Sequence, residues 1–97
     1  MTDITFEWDN RKAQQNEKKH GISFEEARTA FYDENARLTS DPDHSQDEDR
    51  YILLGLSAVL RVLIVCHVYR QDDEVIRLIS ARKATKREQQ QYQRFVP

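Results

Sequence analysis

The sequence predicts an α+β fold: an N-terminal strand and two helices packed on an antiparallel β-meander, with a C-terminal helix. Three observations lead there. The stretch Arg61 to Arg82, RVLIVCHVYRQDDEVIRLISAR, is apolar at alternate positions on both sides of a first strand, then turns through Gln71, Asp72 and Asp73 and returns as a β-branched strand. Two N-terminal segments carry helix start signals, Asp9 and Ser23. Near the C-terminus, Thr85 and Glu88 stand at the spacing of a capping box. At 97 residues the chain is expected to form one domain over 1–97, since a chain of this size buries roughly 60 to 70% of its unfolded surface and fills one modest core.

Taken in order, Thr2 to Trp8 read as a short strand with Ile4 and Phe6 on one side. Asp9 caps a helix over RKAQQNEKKH, and Gly21 is the expected left-handed residue that ends it. Ala13 is the only apolar residue of that helix, so packing anchors it weakly, and Lys12, Asn16, Lys19 and His20 become candidates for a functional face beside the simpler reading of a solvated helix. Ser23 and Glu26 form the capping box of a second helix whose Phe24, Ala27 and Phe31 face the core, with Ile22 as its hydrophobic staple. Ala36 to Ser40 read as a brief strand, Asp41 to Asp49 as an acidic loop, and Arg50 to Leu56 as the next strand. With a turn at Ser57 to Leu60, three antiparallel strands follow in sequence. A last helix opens at Thr85, with Tyr92 and Phe95 on one side.

Because Val62 to Cys66 and their neighbours are apolar on both faces, the first hairpin strand is expected at the centre of the sheet. A turn centred on Asp72 sets His67 opposite Arg77, Val65 opposite Ile79 and Cys66 opposite Leu78. On that register the face carrying Val62, Ile64, Cys66, Val68, Ile76 and Leu78 is wholly apolar, and the other face holds His67 and Arg77 within cross-strand reach.

Composition narrows the function classes. A single cysteine, Cys66, allows no internal disulfide and fits a reducing compartment, and its apolar surroundings favour a packed thiol over a reactive one. The longest apolar run, Val62 to Cys66, is far short of the roughly 20 residues of a spanning helix, and no signal peptide is visible, so a cytoplasmic protein without membrane contact is expected. The net charge of −2 argues against a general nucleic-acid binder, yet it conceals segregation. Asp41, Asp43, Asp47, Glu48 and Asp49 crowd a loop with no Lys or Arg, whereas Arg77, Arg82, Lys83, Lys86, Arg87 and Arg94 face Glu88 alone in the C-terminal segment. Such asymmetry fits a charged partner, and it also fits two solvated segments that balance one another.

His20, His44 and His67 fall on a helix, a loop and a strand, so no metal motif is formed and no cofactor is implied; D-P-D-H at Asp41 to His44 is a weak cation hint. With only Gly21 and Gly55, glycine-rich phosphate loops are excluded. A metal-free ribonuclease site needs less. RNA supplies its own 2′-OH nucleophile, so the protein has to position the strand, move protons with a His, Lys, Glu or Tyr, and neutralise the phosphorane with Arg or Lys. His67 alone reads as a core histidine and Arg77 alone as a surface cation; together with Arg82 on one strand pair they point toward such a site.

The series FEWD at Phe6 to Asp9, KA at Lys12 and Ala13, KHGI-F-EA from Lys19, D-DH---E-R from Asp41 to Arg50, Gly55, Val65 with His67, and IRLISAR-AT--E from Ile76 to Glu88 closely resembles the BrnT toxin family across nearly the whole chain. The resemblance implies a RelE-like fold and a ribonuclease toxin of a type II toxin-antitoxin system. It further implies a BrnA-like antitoxin that neutralises the toxin in a hetero-oligomer and brings operator DNA to the complex through its own domain, making that complex an autorepressor. It carries His67, Arg77, Ser80 and Arg82 over to the active surface, with Lys19 and His20 from the KHG motif. In the division of labour that follows, His67 or a lysine moves protons, Arg77 and Arg82 bind the scissile phosphate, and Ser80, Lys83, Lys86 and Arg87 hold or steer RNA. Leu78 stands where the family often has Ile, a harmless core change. Two other readings remain open on the sequence: a non-catalytic adaptor whose basic C-terminal face binds an acidic partner, and a toxin active only with ribosomes.

Overall fold

The computed structural model describes residues 4–41 and 49–97. The elements run β1 (Thr5–Glu7), α1 (Asn10–His20), α2 (Phe24–Thr29) with a 3-10 turn over Ala30–Tyr32, β2 (Arg37–Ser40), β3 (Arg50–Leu56), β4 (Val62–Arg70), β5 (Val75–Lys83) and α3 (Lys86–Gln93). Thr2, Asp3 and most of the acidic loop, with the D-P-D-H stretch beyond Asp41, lie outside the described residues.

The five strands form one sheet in the order β1-β5-β4-β3-β2, so β4 is central, as its two apolar faces predict. β2 to β5 make an antiparallel meander, but β1 joins its edge parallel to β5. The sheet is therefore mixed: the expected antiparallel meander forms, and the N-terminal strand, expected to pack on it, extends it instead as a parallel edge strand. Between β1 and β2 the chain forms α1, α2 and the 3-10 turn on one face of the sheet. Ile22, Phe24, Ala27 and Ala30 from this layer meet Leu53, Leu63, Val65, Ile76, Leu78 and Ala81 from the sheet, where each large aliphatic side chain contributes about 1.5 to 3 kcal/mol on burial. Gly55 lets the layers close: a Cβ there would lie 3.0 Å from the Ala30 carbonyl oxygen.

The hairpin register differs from the expected one. The β4–β5 loop holds four residues, Gln71 to Glu74, with three of them at positive φ. Arg70 thus pairs with Val75, Val68 with Arg77 and His67 with Leu78, a slip of one residue from a turn centred on Asp72. Because side chains alternate, one residue exchanges the faces. The core face of β4 is Leu63, Val65 and His67, and Val62, Ile64, Cys66 and Val68 look the other way. His67 and Arg77 do not share a face. Between Cys66 and His67 the register shifts again: Cys66 pairs with Ser80, leaving Ile79 as the extra residue of a β-bulge.

Caps behave largely as the local sequence dictates. Asp9 accepts from the Arg11 and Lys12 amides, and Gly21 takes φ 73°. At α2 only half the capping box forms. Ser23 accepts from the Glu26 amide, but the Glu26 carboxylate turns instead to Arg61 and the Ser57 hydroxyl, since a guanidinium is a stronger partner than a neutral amide. The α3 box of Thr85 and Glu88 is complete. Tyr92, the buried residue of α3, donates to Asp33 at 2.5 Å, and Asp33 also accepts from the Leu56 amide.

Asn16 explains how so polar a helix as α1 is held. Beyond Arg77, β5 has no β1 residue beside it, and its outward backbone groups need partners. The Asn16 amide supplies them, accepting from the Ala81 N–H at 3.0 Å and donating to the Ala81 carbonyl at 2.9 Å and the Ile22 carbonyl at 3.0 Å. Asn16, 7% exposed, serves as one residue of a surrogate strand rather than as a functional side chain. Asn16→Ala leaves these buried groups unpaired and is expected to cost about 2 to 4 kcal/mol in urea unfolding; a loss below about 1 kcal/mol would show that the edge is sealed by other means.

Candidate nucleic-acid interface

The sheet face away from α1 and α2 collects the cationic side chains. Cross-strand register lays it out in rows: Glu7, Arg77, Val68 and Arg50; then Ser80, Cys66, Ile52 and Thr39; then Arg82, Ile64, Leu54 and Arg37. With neighbouring strands about 4.8 Å apart, four arginines surround a patch of small polar and apolar residues. α3 lies along the third row. Between it and β2 runs a groove of ≈ 650 Å³ lined by Ile52, Leu54 and Ile64 below and by Glu88, Arg94 and Phe95 above, and the Arg37 guanidinium stacks 3.5 Å from the Phe95 ring centre.

The bulge decides the composition of this face. Arg77 and Arg82 are five residues apart, an odd spacing that a regular strand would send to opposite sides. The extra residue at Ile79 restores phase, so that Leu78 and Ala81 point into the core while Arg77, Ser80 and Arg82 point out together. Both arginines are part-exposed and paired. Arg77 donates to Glu7 at 2.6 Å, its side chain 28% exposed. Arg82, 42% exposed, grips Glu88 through both terminal nitrogens at 2.8 and 3.0 Å. The Arg82 bonds hold the Glu88 carboxyl down to about 2, against the cost of burial.

The remaining sequence-predicted residues are dispersed. Lys19 and His20 end α1 one helical turn beyond Asn16, the residue that bonds the outer edge of β5. Lys86 and Arg87 open α3, exposed just after Arg82. Lys83 alternates away from Arg82, and its charge is felt by Glu26 on the helix side. Half-buried Cys66 sits among the arginines, but burial pushes its thiol up, in keeping with a packed role. Arg37 and Arg50 escaped the sequence reading; their parity with Leu54 and Ile52 along the open face is the signal that places them here.

With this geometry in view, the comparisons with known proteins are specific. The family model for "Ribonuclease toxin, BrnT, of type II toxin-antitoxin system" matches residues 8–88. The chain belongs to the BrnT family of ribonuclease toxins. Among solved structures, the 1.1 Å crystal structure of the Brucella abortus ribonuclease toxin BrnT matches with a TM-score of 0.65 at 23% identity, covering 87% of this chain and 100% of that one; the likeness shows a common fold. No curated protein matches the chain. Among the described residues, no helix is long and apolar enough to cross a membrane.

In this BrnT-family chain His67 lies apart from the arginines. It is 0% exposed on the core face, packed edge-on against Phe31 at 4.8 Å and near Tyr51 and Tyr69. Its Nδ1 is 3.1 Å from the Val65 carbonyl, which can only accept, so Nδ1 carries the proton and Nε2 accepts from the Tyr69 hydroxyl at 3.3 Å. Burial lowers the ring to about 4 from its usual 6.5, against the raising effect of the Val65 bond. The imidazole is sealed on the face opposite the arginines, and the expectation that it adjoins Arg77 fails for want of one residue in the turn.

The unfolded ring binds a proton that the folded one refuses, so His67 contributes stability above pH 6.5 that is lost as pH falls toward 4. Between pH 6.5 and 4.5 the wild-type chain is expected to lose on the order of 2 to 3 kcal/mol from this group in urea titrations, and His67→Leu, though less stable at pH 7, is expected to flatten that slope. Parallel slopes would show a native-state imidazolium.

Proposed function

We propose that this chain is a metal-independent endoribonuclease of RelE-like architecture that cleaves cytoplasmic RNA across the Arg77–Ser80–Arg82 row and so arrests growth. The observation that carries the reading is the one-sided placement of those three side chains by the bulge at Ile79. In the reaction the 2′-oxygen bonds to phosphorus as the phosphorus–O5′ bond breaks; a base takes the 2′ proton and an acid supplies one to O5′. Arg77 and Arg82 neutralise the added charge on the phosphorane. Ser80 hydrogen-bonds the strand between them, and Lys86 and Arg87 steer it, with Lys83 at the strand end. His67 is left out of the chemistry by its burial, so proton transfer is assigned to the remaining candidates, Lys19 or His20 at the end of α1 or Lys86 at the start of α3.

The same reading includes a BrnA-like antitoxin that neutralises the toxin in a hetero-oligomer. Operator DNA is reached only through that partner, as the net charge of −2 on the toxin favours, and the complex represses its own expression. Folded Arg82→Ala is expected to cleave RNA about 100-fold to 1000-fold more slowly and to lose toxicity, with the parent's cleavage unchanged by a chelator. An Arg82→Ala protein that kills cells and cuts RNA like the parent would remove the row from the mechanism, and chelator-sensitive cleavage would require a metal site.

A further inference from the structure

We propose that Glu88 is a positioning residue for RNA cleavage, holding one fork of the Arg82 guanidinium so that the other fork is presented to the scissile phosphate. The inference rests on the reading that Arg82 binds that phosphate, and it adds what sets the geometry of the contact.

A guanidinium has five N–H donors in one plane, arranged as an end-on fork between the terminal nitrogens and a side-on fork made by Nε–H and the outer Nη2–H. Glu88 occupies the end-on fork: Nη1 donates to Oε1 at 2.8 Å and Nη2 to Oε2 at 3.0 Å. The second Nη1 hydrogen is directed to the Lys83 carbonyl at 3.2 Å. Among the described residues, Nε–H and the outer Nη2–H have no acceptor. They form a parallel pair that matches two phosphate oxygens. The plane that carries them is set by the groups already bound.

Glu88 is itself fixed. Its Oε1 accepts the Thr85 amide at 2.8 Å, and its own amide donates to the Thr85 hydroxyl at 3.2 Å. The capping box that starts α3 therefore immobilises the carboxylate that immobilises Arg82. A long arginine side chain on a half-open sheet would otherwise lose rotamer freedom each time it bound RNA; here that cost falls on folding, not on the transition state. This also accounts for an otherwise counterproductive arrangement, a carboxylate fully engaged on a cation meant for phosphate.

The test is a double-mutant cycle on the full chain, with RNA cleavage read as kcat and KM and thermal midpoints recorded for each variant. Glu88→Ala is expected to lower kcat about 10-fold to 100-fold with KM changed by less than about threefold. Glu88→Gln keeps a capping-box residue and one acceptor for Arg82, so it is expected to stay folded and to recover part of the loss. Arg82→Ala with Glu88→Ala is expected to be no slower than Arg82→Ala alone, because Glu88 acts through Arg82. Additive losses would overturn the proposal, as would faster cleavage by Glu88→Ala, which would make the carboxylate a competitor of phosphate. Equal losses in Glu88→Gln and Glu88→Ala with parallel falls in thermal midpoint would reduce Glu88 to a helix cap. If Arg82→Ala alone cleaves like the parent, the phosphate-binding row itself is wrong.

Discussion

One extra residue in β5 is the constraint on which the candidate site depends. A β-strand alternates its side chains without exception until a bulge interrupts it, and the odd spacing of Arg77 and Arg82 would otherwise drive one of the two toward the core. With Ile79 unpaired, Leu78 and Ala81 remain inside while both guanidinium groups and Ser80 emerge on the open face. Core and site are thus cut from the same nine-residue strand, and neither is optimal without the interruption.

The second constraint is the free edge of that strand. β1 covers β5 only from Val75 to Arg77, and the part that carries Ser80 and Arg82 would expose unpaired backbone groups. α1 fills the gap with an amide side chain in place of a peptide, which makes a helix nearly devoid of apolar residues indispensable to the sheet. The arrangement also ties the helix that ends in the KHG motif to the strand that carries the SAR motif, through Asn16. Polar pins recur elsewhere: Asp33 ties α3 to β3 through Tyr92, and Glu26 ties α2 to the β3–β4 turn through Arg61.

Charge is handled pairwise. Each arginine of the row has a carboxylate from a neighbouring element, Glu7 from β1 and Glu88 from α3. Being part-exposed, these pairs contribute little to stability. Their effect is orientation: they set the guanidinium planes and soften mutual repulsion on a face where Arg37 and Arg50 add further charge. An open face of this kind remains compatible with a chain whose net charge is slightly negative.

The sequence by itself determined the elements, because their causes are local. Caps at Asp9, Ser23 and Thr85, the left-handed stop at Gly21, and alternating apolar residues in β3 and β4 all act within a few positions. It also placed β4 at the centre of the sheet, since a strand apolar on both faces must be covered on both, and the ordered motifs from Phe6 to Glu88 pointed to the BrnT family. The site was legible as residue types more than as an arrangement. A polar turn such as Gln71 to Glu74 does not announce whether three or four residues will span it, and a difference of one moved His67 from the company of Arg77 into the core. The bulge at Ile79, the parallel docking of β1 and the use of Asn16 as a strand mimic depend on contacts between residues up to 70 positions apart, so only the tertiary structure, by balancing core burial against the hydrogen bonding of an exposed strand edge, could decide them.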